Sequence, residues 1–477
     1  MNHQTPDRSP RRLDPRLSLA IGAAKLTSLG IRLSRRGGGT AAPGLVAGRI
    51  DGTLLAKMAD RLAEGAIVVA GTNGKTTTSR MLADILEAAG HRVVHNRSGS
   101  NLVRGVAAAF ADHARLDGDP RADVAVVETD EAAFPEIVRL VRPRLILLNN
   151  LFRDQLDRYG EIDTVAKAWR IALERLPAET TVVVNVDDPT LAAITEGIAA
   201  RRIAFGLDER RHRLDQLPHA VDAATCRRCG ADLDYAALYV SHLGAWRCPS
   251  CGNARPALDR AGFDIDLGGV ESLVVSIGAA DGDLRVAVGV PGLYNVYNVV
   301  AAATAALAYG VSSATVTEAL GAFRAAFGRI ERVAFRERTL TLALVKNPVG
   351  FNEVLRMLTT ATGGLTVPTL IAINDLDADG RDVSWLWDVD FEFLAGGVAP
   401  LFTTGIRGPD MANRLKYAGI PSARLHPLPS DLKAALESFV EQIPAGGTAY
   451  VLPTYTAMLR LRKILTDLGA VESFWRQ

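Results

Sequence analysis

Seven consecutive residues, Gly71-Thr72-Asn73-Gly74-Lys75-Thr76-Thr77, have the types and spacing of a phosphate cradle. The two glycines let the backbone curl until successive N–H groups point inward at an anion. Lys75 adds a positive charge, and the Thr76 hydroxyl can ligate a magnesium ion held by the phosphates. The loop is a variant, because Val69 stands where the common pattern has its first glycine.

A second constellation uses every cysteine of the chain. Cys226-Arg-Arg-Cys229 and Cys248-Pro-Ser-Cys251 are separated by eighteen residues. Two Cys-x-x-Cys knuckles at that separation can supply four thiolates to one tetrahedral zinc, and four sulfur ligands leave no position open for chemistry. A structural zinc ribbon is therefore expected; the alternatives are a pair of disulfides, which a cytosolic ATP-binding enzyme disfavours, or free thiols. No cysteine is left to stand alone as a nucleophile.

Hydrophobic periodicity supplies the elements that must position these residues. Ala66-Ile67-Val68-Val69-Ala70 reads as a buried parallel strand leading into the loop. Ser79 to Ala89, with Met81, Leu82, Ile85 and Leu86 on one stripe, reads as the helix whose positive dipole end faces it. Further strands are expected at 92–95, 123–128, 144–148, 180–185 and 202–205, alternating with helical patterns. That alternation means a doubly wound sheet, and ligands gather at the carboxyl ends of such strands. Asn96, Glu128, Asn149, Asn150, Asp187 and Asp188 fall at those ends. A second alternating pattern, with strands at 340–345, 369–374, 399–404 and 449–452, predicts a smaller α/β domain over the last 140 residues or so.

At 477 residues, 48% hydrophobic and 22% charged, the chain suits about three ordinary globular domains. A net charge of +1 argues against a nucleic-acid binder working by bulk electrostatics, despite the ribbon and an Arg-rich start. Arg11-Arg12 before Leu17–Ala24 imitates a twin-arginine signal only weakly, since Asp14 and Pro15 interrupt it and Lys25 ends the apolar run. Residues 1–15 look disordered. Leu19, Ala23, Leu26 and Leu33 instead suggest an amphipathic helix, closed by Gly37–Gly39, that packs on the next domain; contact of its basic rim with anionic lipid is the sharper alternative.

The cradle, Asn185–Pro189, Asn295–Asn298 and Gly328–Glu331 together resemble the Mur ligase family, which joins an amine to a carboxylate of a peptidoglycan precursor with ATP. The four-cysteine insertion, Leu151–Glu161 and Asn374–Trp385 further resemble its MurT branch, the synthetase subunits of lipid II isoglutaminyl synthase. The fold this implies is α/β: a Mur ligase-like P-loop central domain with an inserted zinc ribbon, then a smaller α/β C-terminal domain. The expected parts are a tail and helix (1–53), the ATP-binding domain (54–335, ribbon at about 218–257) and the C-terminal domain (336–477).

The resemblance also implies the reaction: amidation of the α-carboxylate of D-glutamate in the lipid II stem peptide, through an acyl phosphate. Ammonia would come from a glutaminase subunit, GatD, and the chain would be cytoplasmic, with a peripheral place at the inner face of the membrane as the sharper alternative. A stand-alone amino-acid ligase of the Mur or folylpolyglutamate type is the alternative. By the resemblance, Glu128 is a magnesium ligand, Asn295 and Asn298 hold adenine, and Arg329 lies near the phosphates. Asp187 or Asp188 reaches the ribose, though Asp-Asp-Pro also suits a turn.

Lys346, in Lys346–Asn352 after a strand, is expected to steady the acyl phosphate or the substrate carboxylate. Asp382 takes the place of the family's catalytic aspartate. It either orients the histidine of a glutaminase in trans or serves the ammonia step. Asp377, Asp379, Asp388 and Asp390 would line an acidic mouth beside it. The chain departs from many Mur ligases at Gln155, where they carry a histidine. Neither Lys167 nor Arg170 matches their carbamylated lysine, so the resemblance does not extend to a second magnesium site.

Overall fold

The structure, a computed structural model, describes residues 14–33, 41–96, 101–153, 162–219, 221–279, 282–324, 330–359 and 363–471. Two sheets organise it. The first has nine strands in the order β11-β10-β9-β6-β5-β4-β1-β3-β2. They are β1 (Ala66–Ala70), β2 (Val93–His95), β3 (Val124–Glu128), β4 (Leu145–Leu148), β5 (Thr181–Asn185), β6 (Arg201–Leu207), β9 (Arg260–Gly268), β10 (Ser272–Ile277) and β11 (Leu284–Val288). A separate antiparallel pair, β7 (Asp234–Val240) and β8 (Leu243–Arg247), forms the inserted hairpin.

The strands from β2 to β6 pair in parallel, as the alternation predicts. Side chains point to opposite faces in turn, so β1 sends Ala66, Val68 and Ala70 to one core and Ile67 and Val69 to the other. Helices cover both faces: α1 (Pro15–Leu33), α2 (Ala42–Ile50), α3 (Leu54–Ala59), α4 (Lys75–Ala88), α5 (Val103–His113), α6 (Phe134–Val141), α7 (Ile162–Leu173), α8 (Pro189–Ile194), α9 (Leu293–Tyr309) and α10 (Ser313–Ala322). β9 still pairs in parallel with β6, and beyond it the sheet turns antiparallel through β10 and β11. Sequence patterning misses this end, because β9 and β11 alternate buried and exposed residues instead of forming a continuous apolar run.

The second sheet has six strands in the order β12-β13-β17-β14-β15-β16. These are β12 (Glu331–Phe335), β13 (Arg338–Leu342), β14 (Thr369–Ala372), β15 (Leu401–Thr404), β16 (Leu425–Pro427) and β17 (Thr448–Pro453). Helices α11 (Pro348–Thr359), α12 (Gly408–Tyr417), α13 (Leu432–Glu441) and α14 (Tyr455–Asp467) pack around it. Only the β12–β13 hairpin is antiparallel.

The N-terminal helix corrects one expectation. Its buried face is Leu17, Ala20, Ile21 and Ala24, packed on α2 and α5, while Leu19, Leu26 and Leu33 face outward. The helix is apolar on two faces, and the one carrying two alanines allows the closer approach to its neighbours. Asp14 and Pro15 are ordered too: Asp14 pairs with Lys57 at 2.6 Å and accepts from the Leu17 N–H at 3.1 Å. The remainder of the expected disordered start, the arginine pair and Gly37–Gly39 lie outside the described residues.

Candidate active site

The cradle sits between β1 and α4, at the carboxyl edge of the parallel strands. Gly71 and Gly74 have φ of 151° and 82°, backbone that L side chains rarely adopt, and Gly74 ends the turn as the N-cap of α4. A Cβ on Gly74 would come within 2.0 Å of Asn298 Oδ1, so only glycine fits. The loop is pinned from the end of β4. The Thr72 N–H donates to the Asn150 carbonyl at 3.0 Å, the Asn73 N–H to Asn150 Oδ1 at 2.8 Å, and Asn150 Nδ2 to the Asn73 carbonyl at 3.0 Å. The Thr72 hydroxyl donates to the Phe152 carbonyl and accepts from the Phe152 N–H, both at 3.0 Å. The cradle is therefore held before any ligand arrives.

Two carboxylates take Thr76 and Lys75 of the loop. Glu128, the last residue of β3, accepts from the Thr76 hydroxyl at 3.0 Å. Asn96 fixes the Glu128 backbone through both of its amide atoms, at 2.8 and 2.9 Å. Glu131 pairs with Lys75 at 2.9 Å, with both side chains under 10% exposed. The Glu131 carbonyl accepts from the Trp169 indole N–H at 2.8 Å, and Trp169 stacks near Phe134. No sequence motif marks Glu131, three residues beyond Glu128. Their spacing of three is the signal that sequence offers, but the pairing with Lys75 needs the turn after β3.

Asn295 and Asn298 lie on the first two turns of α9, at the helix start as expected, and both are buried. Asn298 Oδ1 accepts from the Thr78 hydroxyl at 3.2 Å, and the same hydroxyl accepts from Asn149 Nδ2 at 2.8 Å. Asn298 Nδ2 donates to Asn295 Oδ1 at 2.9 Å, and Asn295 Nδ2 to the Pro291 carbonyl at 2.7 Å. These bonds tie α9 to the underside of the cradle. Arg329 and Gln155 lie outside the described residues. Lys167 is exposed on α7, and Arg170 is bound to Glu174 at 2.6 Å and to the Glu196 carbonyl at 2.5 Å, so neither points to the cradle.

Asp187 and Asp188 are fully buried and serve the architecture. Asp188 caps α8 through the Thr190 and Leu191 N–H groups and accepts from the Leu151 N–H at 2.8 Å. Asp187 takes the Arg255 guanidinium and the Tyr297 hydroxyl, each at 2.7 Å, and the Leu207 N–H at 2.9 Å. Burial pushes its carboxyl above the ordinary range against those partners. Asp-Asp-Pro is thus turn and core chemistry, which is the second of its two expected readings.

The cysteines converge. All four sulfurs lie within 4.8 Å of one another, with Cys226–Cys251 at 3.6 Å and Cys229–Cys248 at 3.5 Å. A tetrahedron with metal–sulfur bonds of about 2.3 Å has edges of about 3.8 Å, so the set fits one metal ion. The ribbon is clamped to the nucleotide domain by the Trp246 indole on the Val186 carbonyl at 3.0 Å and by Arg255 on Asp187.

The second sheet reaches the cradle through Asn347, whose Nδ2 donates to Asn73 Oδ1 at 2.9 Å. Lys346 precedes it, half-buried at the same junction. Asp382 is exposed and accepts from the Ser384 N–H at 2.8 Å, which holds its carboxyl below the ordinary range. Its expected acidic neighbours do not form a shared mouth. Asp377 pairs with Arg381 at 2.7 Å, and Asp388 with Arg153 at 3.5 Å. Asp390 is buried between His219, at 2.5 Å, and Asn352, at 2.8 Å. Asp379 is buried against the Thr456 N–H, at 2.8 Å, and burial raises its carboxyl. Each finds its own partner because the turns of this stretch point successive carboxylates in different directions.

Residues 69–225 match the Mur ligase middle domain, and residues 344–458 match the MurT ligase C-terminal family. The chain is 34% identical, over 91% of its length and 94% of the relative's, to the lipid II isoglutaminyl synthase (glutamine-hydrolyzing) subunit MurT of Streptococcus pneumoniae. The chain belongs to the MurT family. The MurT of Staphylococcus aureus strain COL is 30% identical over 83% of this chain and 88% of that one. Among solved structures, a pseudomurein peptide ligase type C from Methanothermus fervidus superimposes with a TM-score of 0.66 at 17% identity, covering 84% of this chain and 78% of that one. The MurT match and the Mur ligase-like fold agree with the expectation from sequence. Among the described residues, no helix is long and apolar enough to cross a membrane.

Proposed function

We propose that this chain is the ATP-using subunit of a lipid II isoglutaminyl synthase. It would convert the α-carboxylate of D-glutamate in the lipid II stem peptide to the amide, D-isoglutamine, at the cytoplasmic side of the membrane. The observation that carries this reading is the MurT likeness over nine-tenths of the chain, centred on a cradle already pinned by Asn150 and Phe152. A subunit family favours this reading over the stand-alone amino-acid ligase.

A carboxylate is a poor electrophile, so the γ-phosphoryl group must first pass to it and give an acyl phosphate. The N–H groups of Gly74 to Thr77 and the Lys75 ammonium would hold the phosphates, and Arg329 would join them. Thr76 and Glu128 would share Mg2+, which supplies charge neutralisation on the phosphates. Asn295 and Asn298 support the loop from α9 and border the adenine side. Lys346, beside the Asn73–Asn347 contact, is placed to steady the acyl phosphate across the junction.

Ammonia then attacks the acyl carbon and phosphate leaves. Every cysteine belongs to the ribbon, so a GatD-like glutaminase must supply that ammonia. Exposed Asp382 stands five residues before exposed Trp387, which packs edge-on to exposed Tyr417 at 5.6 Å. This face would receive the partner, with Asp382 as the acidic group that completes its site. The ribbon would hold a structural Zn2+.

The test is mass spectrometry of the stem peptide after incubation with ATP, glutamine and the partner chain. The mass of the glutamate must fall by the difference between a hydroxyl and an amine, and Lys75→Ala must abolish that change. Absence of ATP turnover with lipid-linked muropeptide overturns the reading. Metal analysis should find one zinc per chain, lost in Cys248→Ser.

A further inference from the structure

Helix α1 carries an apolar stripe that nothing in the described structure covers. Leu19, Leu26, Leu29 and Leu33 are 64%, 71%, 53% and 75% exposed, although the opposite face is locked into the core. Leu116, itself 57% exposed, extends the stripe, since a Cβ at Gly22 would touch it at 3.7 Å. Scattered surface leucines mean little, but a continuous stripe on one helix marks a contact with a membrane or a protein.

Charge decides between those occupants. Between Pro15 and Leu33 the chain has three cations, Arg16, Lys25 and Arg32, and no acidic residue. Arg35 and Arg36 follow directly in sequence. On a helical wheel Arg16 falls on one side of the leucine stripe, and Lys25 and Arg32 fall on the other. Leucines between flanking cations suit a helix lying in the headgroup region of an anionic bilayer.

The position relative to the cradle fits as well. The far end of α5 meets α1, where Lys25 Nζ donates to the Asp112 carbonyl at 2.7 Å and Ser28 to the Asp112 carboxylate at 2.8 Å. Just before the near end of α5, the Asn101 carbonyl accepts from the Asp130 N–H at 2.9 Å, two residues from Glu128. One eleven-residue helix, about 16 Å long, thus separates the stripe from the magnesium-binding carboxylate.

We infer that α1 is a membrane-docking helix, whose Leu19–Leu26–Leu33 face rests on anionic lipid so that a lipid-anchored acceptor reaches the cradle without leaving the bilayer. This inference rests on the lipid-linked substrate proposed above.

The experiment is co-sedimentation of the full chain, with its glutaminase partner, on phosphatidylcholine vesicles with and without phosphatidylglycerol. Binding should strengthen about tenfold or more with the anionic lipid and weaken as salt rises. Leu19→Glu with Leu26→Glu should lose at least about tenfold in binding, and Arg32→Glu alone a few-fold. Amidation of vesicle-borne acceptor should fall in step, while amidation of a water-soluble muropeptide stays unchanged. Equal binding to both vesicle types, or full binding by the leucine variant, overturns the inference. So does light scattering that finds a dimer in the wild type and a monomer in the leucine variant, since the face is then a self-contact. Turnover of the soluble acceptor reports on the proposed reaction separately, so that reading survives a failure of docking alone.

Discussion

The cradle and the Asp382 turn are built on opposite plans. Around the cradle every charge is answered from within the chain: Lys75 by Glu131, Thr76 by Glu128, the loop backbone by Asn150. At the turn, Asp382 is exposed and, among the described residues, accepts only from Ser384 two residues on, and Leu376 and Trp387 stand exposed within six residues of it in sequence. The first plan suits a site whose ligand is small and must meet donors already in place. The second suits a site completed by another protein.

The largest expected effect breaks the first plan. Lys75→Met should cut ATP turnover by about a thousandfold. It should also cost about 3–5 kcal/mol of stability, because Glu131 is left as an unpaired buried charge. Adding Glu131→Gln should return most of the stability and none of the activity, measured by thermal unfolding beside a phosphate-release assay. If the double variant stays as unstable as the single one, the buried pair is not what Lys75 contributes to the fold.

Asp382→Asn tests the second plan. Glutamine-driven amidation should fall by about a hundredfold or more, while unfolding midpoints stay within the equivalent of about 0.5 kcal/mol. Supplying free ammonium chloride then discriminates between the two roles. Restored amidation places Asp382 with the glutaminase, and continued failure places it in the ammonia step.

Glu353, on the helix that joins the two lobes, sharpens the comparison by pH. Burial pushes its carboxyl up to about 7, and Arg356 at 3.8 Å only partly opposes this. From the ordinary glutamate value to about 7, the folded chain holds a proton that the unfolded chain has lost. Stability therefore falls as pH rises through that window and is flat above it. Glu353→Gln should remove the slope, stabilising the protein by up to about 3 kcal/mol at pH 8 and hardly at all at pH 4, in urea titrations at both pH values.

The smallest effect belongs to the junction. Asn347→Ala should weaken ATP binding by only a few-fold, the scale of about 1 kcal/mol for one neutral hydrogen bond, read by calorimetry with ADP.

The sequence by itself determined the phosphate loop, the parallel strands from β1 to β6 and the four-cysteine ribbon. Each is written in local terms: a β-branched run, a glycine turn, a fixed spacing of thiols. Tertiary structure alone decided which polar residues meet. Glu131 reaches Lys75 across 56 positions of chain, and Asn347 reaches Asn73 across 274. Asp187 and Asp188, which read equally well as ribose ligands, are buried by the ribbon and α8 that close over them. The leucine stripe of α1 turns outward because its alanine-bearing face packs closer. Burial and partnership are properties of surfaces brought together from distant parts of the chain, and no local pattern encodes them.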